Sequence, residues 1–181
     1  FYFLNDINMY TFLGGTLDDA VGEAFDKVGK VLGLKFPGGP EVEKKAIRGN
    51  EEAFIFPKPL LRTVNTDLNL SFSGLKSHII KLISDNKNNL LSKSFVEDVS
   101  ASFQKTVSEI LVNKLKRAIH YCNEKFPAYE NVIVAGGVAS NTYLRKRFIE
   151  VIKNNDKKPF IPPAKLCTDN GAMIAWAGYE R

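Results

Sequence analysis

The sequence predicts an α/β chain, and three observations carry that prediction. Apolar residues recur three to four apart over several long stretches. Short strand-like runs stand between them. At residues 132–141 an apolar run enters Gly136-Gly137 and leaves with a helical pattern. A chain of 181 residues suits one compact domain or one and a fraction. Surface scaling lets it bury roughly 70% of its unfolded surface, enough for a core without staples. With 44% hydrophobic and 25% charged residues, collagen, coiled-coil and disordered classes are excluded. Two cysteines, Cys122 and Cys167, make neither a disulfide framework nor a paired zinc site. No secretory signal is visible, so a reducing cytosol is the expected compartment. No apolar run reaches the ~18 residues of a membrane span. The net charge of +5 leans mildly toward a polyanionic partner.

Phe1 to Leu4 reads as a strand, Asn5-Asp6-Ile7-Asn8 as a turn and Met9 to Leu13 as the returning strand. A hairpin at this position leaves a sheet edge without a neighbour, and the chain is expected to be a piece of something longer. Thr16-Leu17-Asp18-Asp19 has the form of a capping box, opening a helix to about Leu32 with Gly33 as its stop. Leu17, Ala20, Val21, Ala24, Phe25, Val28, Val31 and Leu32 form its apolar face. Phe36-Pro37-Gly38-Gly39-Pro40 is expected as a stiff loop, and about Glu41 to Arg48 as a short helix ended by Gly49. Leu68 to Phe72 alternates as a half-buried strand does, Leu75 to Ile83 reads as a helix, and Asp85 to Leu90 as a loop. Ser94-Phe95-Val96-Glu97 reads as a second capping box. It opens the longest helix, to about Cys122, with Val99, Phe103, Val107, Ile110, Leu111, Leu115, Ala118 and Ile119 facing the core. Asn131 to Ala135 is expected as a buried strand, Gly136-Gly137 as a tight turn and Ser140 to about Asn154 as a helix. Lys158 to Ile161 reads as a short strand, and Cys167 to Tyr179 as a small-residue helix. The expected organisation is an edge hairpin over 1–14, a mostly helical region over 15–125, and the strand–Gly-Gly–helix with the terminal helix over 126–181.

Five segments carry candidate chemistry. Around Gly136, Gly137 and Asn141, bare backbone lets a ligand approach, and free N–H groups at a helix start favour anions or polar rings. Such turns are also common α/β connectors. Thr168-Asp169-Asn170-Gly171 either caps the last helix, through Thr168 or Asp169, or projects a carboxylate into a cleft. Asp19, Glu23 and Asp26 share a helical face that can be simply solvated, while Gly22 in mid-helix costs about 1 kcal/mol and suggests a close approach. Pro37-Gly38-Gly39-Pro40 is either a connector or a flat surface for a small molecule. Residues 141–158 carry a net +4, read as a solvated face or as phosphate contacts. His78 and His120 lack ligand spacing and read as structural; no P-loop and no Gly-x-Ser-x-Gly occurs.

Taken together, five segments resemble one family: Thr16 to Lys27, Phe36-Pro37-Gly38-Gly39-Pro40, Leu70-Ser71-Phe72-Ser73-Gly74-Leu75-Lys76, Ala135-Gly136-Gly137-Val138-Ala139-Ser140-Asn141, and Cys167 to Ala175. They look like the TsaD family, tRNA adenosine threonylcarbamoyltransferases formerly described as glycoproteases. The resemblance spans about residues 10–180, and five motifs in the right order are far more specific than any alone. It implies the C-terminal lobe of a two-lobed actin/Hsp70-like ATPase (ASKHA) fold. It implies transfer of a threonylcarbamoyl group from its adenylate to N6 of adenosine 37 in tRNAs reading codons that start with A. By the family pattern, Asp26 and Gly39 contact the nucleotide part of the adenylate, and Glu43 its ribose. Asn141, after Gly136 and Gly137, holds the adenine side, and Asp169 is one ligand of a bound metal, iron or zinc. The implied partners are tRNA and TsaB-like and TsaE-like proteins in the cytoplasm, with no membrane.

The sequence departs from the family in one respect. The other metal ligands, a His-x-x-x-His pair, and a glycine-rich phosphate loop belong to an N-terminal lobe that has no counterpart here. The expectation is therefore the C-terminal portion of a TsaD, inactive unless the N-terminal portion is supplied and holding no metal by itself. Two other readings stay open at this point: another actin/Hsp70-like ATPase or small-molecule kinase, and a non-catalytic scaffold like the family's inactive paralogue TsaB.

Overall fold

In a computed structural model, which describes residues 1–6, 9–62, 64, 67–86 and 92–180, the chain forms two compact units, Phe1–Tyr129 and Glu130–Arg181. The first unit opens with the antiparallel pair β1 (Tyr2–Asp6) and β2 (Met9–Phe12). Asn5 and Asp6 extend the first strand rather than turning, and Ile7 and Asn8 lie outside the described residues. Tyr2 pairs with Phe12 and Leu4 with Tyr10, so these four share one face, and all are 58–67% exposed. From the opposite face Phe3 stacks on Phe126, with ring centroids 3.8 Å apart, and meets Tyr129 edge-on. The Tyr129 hydroxyl donates to the Ile119 carbonyl at 3.1 Å, and burial pushes its pKa up to about 12.

Four helices follow: α1 (Val21–Val31), α2 (Gly38–Ala46), α3 (Ser73–Asp85) and α4 (Lys93–Lys125). α4 is the axis of this unit. Its apolar face, Val99, Phe103, Val107 and Ile110, is fully buried. Small polar residues on its other sides, Ser100, Ser102, Thr106 and Ser108, are buried too. Small side chains let neighbouring segments approach closely. Ser102 accepts from the Phe54 amide and donates to the Asn50 carbonyl, binding the stretch after α2 to α4. Phe25 of α1 meets Phe103 edge to face at 4.9 Å, a geometry aromatic pairs prefer. Lys114 is wholly buried; its ammonium donates to the Asp67 carbonyl at 2.8 Å, and burial pushes its pKa down while Asp67 opposes.

Several helix starts differ from the sequence reading, each for a physical reason. α1 begins at Val21, not at Thr16 or Leu17, because Thr16 bridges to Leu70 as in a parallel sheet and Leu17 donates to the Leu70 carbonyl at 2.8 Å. Leu17 is consequently 67% exposed and not part of the core. Gly22 is then the second residue of α1, where a glycine interrupts nothing. α2 starts at Gly38 instead of Glu41 and ends at Ala46, so the expected stiff loop donates its last residues to the helix. The cap of α4 is Ser92, whose hydroxyl accepts from the Phe95 amide, and not Ser94. Leu68, Leu70 and Phe72 are buried with Asn69 and Ser71 less so, as the alternation predicts. Among the described residues they form a single bridge, to Thr16, and no full strand. Gly33 ends α1 at φ +71°, as expected of a left-handed cap. Of the loop expected after α3, residues 87–90 lie outside the described residues, and Asp85 is still helical.

The second unit is a parallel β–α–β crossover. β3 (Asn131–Ile133) runs alongside β4 (Lys158–Phe160), with α5 (Thr142–Lys153) as the connection. The expected burial of β3 is not met: Ile133 and its partner Phe160 are 64% and 54% exposed. With Ile161 and Pro162 they line an open apolar cleft of about 430 Å³. α6 (Gly171–Tyr179) closes the chain and starts four residues after Cys167. Its Ile174, Trp176 and Tyr179 are all exposed. No helix among the described residues is long and apolar enough to cross a membrane.

Candidate ligand-binding site

In the first unit the Asp-bearing helix and the Gly-Gly segment are joined by one hydrogen bond. The Gly38 amide, at the start of α2, donates to Asp26 Oδ1 at 2.7 Å. Pro37 occupies the cap position and has no side-chain group to offer, so Asp26 caps α2 from a different helix. A carboxylate there also matches the positive end of the helix dipole. The junction is tight. A Cβ on Gly38 would come within 2.7 Å of Asp26 Cα and of the Phe25 carbonyl oxygen, and one on Gly29 within 2.9 Å of Gly38 Cα. Gly39, one residue on, has nothing within 4 Å of its Cβ position. It is half-buried, as is Glu43 one turn further along the same helical face. The structure thus brings Asp26 to the start of the helix that carries Gly39 and, one turn on, Glu43. Asp19 and Glu23, the other acids of the cluster, are instead paired with Lys27 at 2.5 and 2.6 Å.

Gly136, Gly137, Asn141 and Asp169 belong to the second unit. Gly136 sits at φ +92°, a conformation for which glycine is suited. Gly137–Ser140 then forms a 3₁₀ turn instead of the first turn of an α-helix. Asn141 follows as the N-cap of α5, with its Oδ1 accepting from the Leu144 amide at 3.0 Å, and is 7% exposed. Arg145 is engaged within the unit. Its guanidinium donates to the Ala139 carbonyl at 3.1 Å and the Pro162 carbonyl at 2.6 Å, tying the 3₁₀ turn to the segment after β4. Lys158 pairs with Glu130 at 2.6 Å, whereas Lys146 and Arg147 are exposed.

Neither Thr168 nor Asp169 caps α6. Asn170 does, accepting from the Met173 amide at 3.1 Å. Asp169 is exposed beside it. A metal needs several donors in one place, and no group of three His, Cys, Asp or Glu able to hold one occurs among the described residues. His78 packs edge-on against Phe56, and His120 stands 3.4 Å from Glu124. Asp169 by itself therefore does not fit the iron or zinc site that the family resemblance implies.

Sequence reasoning missed one residue, Asp18. Its Oδ1 accepts from the Phe72 amide at 2.7 Å and the Ser73 amide at 3.3 Å; its Oδ2 accepts from the Ser71 hydroxyl and, at 2.8 Å, the Ser73 hydroxyl. Asp18 thus caps α3, whose own N-cap residue Phe72 contributes no side-chain bond. The signal was in the sequence: two serines flank an apolar residue just before a helix pattern, with no acid in the first turn. The partner, more than fifty residues away, could not be read. Burial pushes the Asp18 pKa up, but the Phe72 amide, the Ser71 hydroxyl and the two Ser73 donors outweigh it and hold it at about 2. The unfolded carboxyl, near 3.8, takes up a proton first as pH falls. The Asp18 contribution is therefore complete above about pH 4 and is lost on the way down to about pH 2. Asp18→Asn should remove this part of the acid sensitivity. In melting curves from pH 4.5 to 2.0, the gap between variant and parent should narrow as pH falls; a gap of constant size would contradict the assignment.

Comparisons with known proteins point to one family. The family model for tRNA N6-adenosine threonylcarbamoyltransferase, TsaD, matches residues 1–176. A protein of that description from Rickettsia rickettsii (strain Sheila Smith) is 46% identical over 177 residues, covering 97% of this chain and 50% of its own length. One from Thermosipho melanesiensis is 50% identical over 168 residues, covering 93% and 48%. One from Ehrlichia ruminantium (strain Gardel) is 40% identical over 180 residues, covering 99% and 51%. The chain spans about half the length of the curated relatives it matches. With its motifs folded into an Asp-capped Gly-Gly helix start and an Asn-capped strand–Gly-Gly turn, and matched by the family model over nearly its whole length, the chain belongs to the TsaD family.

Proposed function

We propose that this chain supplies the adenylate-gripping part of a threonylcarbamoyltransferase, acting on N6 of adenosine 37 in tRNAs that read codons starting with A. The observation that carries the reading is the Asp26–Gly38 bond with Gly39 open beside it. One carboxylate oxygen is held by the helix start. Among the described residues the other makes no hydrogen bond, which leaves it to accept from a ribose hydroxyl, with Glu43 on the same helical face. The bare backbone at Gly39 admits a flat ring or sugar at van der Waals distance. In the reaction the adenine N6 attacks the threonylcarbamoyl carbonyl carbon, the bond from that carbon to the phosphate oxygen breaks, and AMP departs with the pair of electrons. The N6 proton passes to solvent. What these residues contribute is orientation of the leaving nucleotide, which lowers the barrier by positioning. Asp169, which by itself does not fit a metal centre among the described residues, is assigned no step.

The complete protein is proposed to adopt the two-lobed actin/Hsp70-like fold. The support is physical: both sheets in the described residues have two strands, and each shows an apolar face to solvent, Tyr2, Leu4, Tyr10 and Phe12 on one and Ile133 and Phe160 on the other. Two-stranded sheets are marginal alone, and parallel ones are normally covered on both faces. These are the properties of sheet fragments that continue into further strands and helices. The proposed setting is the cytoplasm, in complex with TsaB-like and TsaE-like proteins and tRNA.

Incorporation of labelled threonine into tRNA tests the reading. The 181-residue chain alone should give none. Addition of the uncovered half of the Rickettsia relative should restore it, and Asp26→Ala in the restored mixture should cut turnover by about tenfold or more at limiting adenylate. Robust turnover by the chain alone would overturn the incompleteness, and an unaffected Asp26→Ala mixture would overturn the role of Asp26.

A further inference from the structure

We infer that Asp18 is a positioning residue for the Asp26–Gly38 junction, acting through the pose of α1. Residues 14–18 and 68–73 lie side by side. Leu70 N donates to the Gly15 carbonyl and Leu17 N to the Leu70 carbonyl, each at 2.8 Å, and Gly15 N donates to Asn69 Oδ1 at 3.3 Å. Gly14 presses so close that a Cβ there would stand 2.7 Å from the Leu68 carbonyl carbon. Asp18 is the last tie of this seam before the chain turns into α1, two residues ahead of the cap position Ala20. Its four donors fix both oxygens, so the segment can neither slide nor rotate without breaking several bonds at once.

α1 is an eleven-residue helix with Asp26 midway along it. A helix moves as a rigid rod, so a shift at its start is passed on to Asp26. The bond from Gly38 to Asp26 is 2.7 Å long, and such bonds weaken over a few tenths of an ångström. Two carboxylates eight residues apart thus cap two different helices, α3 through Asp18 and α2 through Asp26. The first holds the rod that places the second. This role rests on the reading of Asp26 as a nucleotide contact, but the geometry it sets can be measured without nucleotide.

Amide hydrogen exchange on the 181-residue chain is the test. Asp18→Ala should lower protection at Phe72 and Ser73 by about tenfold, the scale of a lost charge-assisted bond, and at Gly38 by several-fold. Asp18→Asn, which keeps the acceptor for both amides, should restore most of it. Ser92→Ala, which removes the α4 cap, is the control for general destabilisation and should leave Gly38 unchanged once urea midpoints are matched. If Asp18→Ala proves poorly folded, the double variant Ser71→Ala and Ser73→Ala should reproduce the Gly38 effect in smaller size. Unchanged protection at Gly38 in the Asp18 variants, or an equal loss in Ser92→Ala, would reduce Asp18 to a plain cap and overturn the inference. An AMP titration of the Asp26→Ala protein fails or succeeds independently, and tests the nucleotide reading alone.

Discussion

Gly38→Ala should destabilise the chain by about 3 kcal/mol, whereas Gly39→Ala should leave its stability unchanged or raise it by a few tenths. The two neighbours differ only in what surrounds them. The Gly38 methyl would enter space held by Asp26 Cα and the Phe25 carbonyl. These are backbone atoms in the middle of α1 and cannot move aside as a side-chain tip would. Separating the helices to admit the methyl would also stretch the Gly38–Asp26 bond. The Gly39 methyl would meet nothing within 4 Å, and alanine is the better helix former. If the open space at Gly39 receives the adenylate, the outcome for binding reverses: Gly39→Ala should weaken AMP binding about tenfold or more in a protein of undiminished stability. Urea unfolding and an AMP titration on the same two variants check both halves. Equal stability losses would refute the packing account, and undiminished AMP binding by Gly39→Ala would refute the ligand account.

Gly49→Ala should be at least as damaging to the fold, with a loss of about 3 kcal/mol or more and a melting temperature lower by roughly 10 °C. Its Cβ would overlap the Glu97 carbonyl group and crowd the Asp98 amide, all backbone of α4. The contact is held from both sides, since the Asn50 amide donates to Asp98 Oδ1 at 2.7 Å and the Asn50 carbonyl accepts from Ser102. α4 has no slack there, with Val99 and Phe103 fully buried on its core face. Differential scanning calorimetry of the variant is the measurement; a melting temperature within a degree or two of the parent would show that the turn after α2 packs less closely on α4 than described. Because Gly49 lies away from Asp26 and Gly39 in sequence and carries no proposed ligand role, its loss should be one of stability, with AMP affinity retained below the melting range.

The helices that sequence periodicity located well are those whose ends are determined by their own residues. Gly33 stops α1, Asn141 caps α5 within a residue of the expected start, and the buried stripe of α4 is the one its 3–4 spacing predicts. Starts went astray where the capping group comes from elsewhere in the chain. α2 begins at Gly38 because Asp26 accepts its first amide, and α3 at Ser73 because Asp18 does the same from more than fifty residues away. Asp18 reads locally as part of a capping box for α1, and nothing in its neighbours says that its oxygens are used by another helix. For α4 the expected cap was Ser94, and the turn places the Ser92 hydroxyl on the Phe95 amide instead. At the terminal helix the expected cap was Thr168 or Asp169; the cap is Asn170 instead, which leaves the Asp169 carboxylate without a capping role.

Family membership was legible in the amino-acid order, because each motif is contiguous and its glycines and carboxylates occur at short, specific spacings. Tertiary structure decided what those residues are doing. It separated Gly38, closed in by backbone, from Gly39, which is open. It engaged Arg145 with carbonyl groups and left Asp169 exposed, outside any group of three metal-ligating side chains among the described residues. It turned Asp18 from a local cap into a clamp on a distant helix. The physical reason is range: helix patterns and turns arise from interactions within a few residues, whereas close backbone approach, shared caps and burial depend on which distant segments come together.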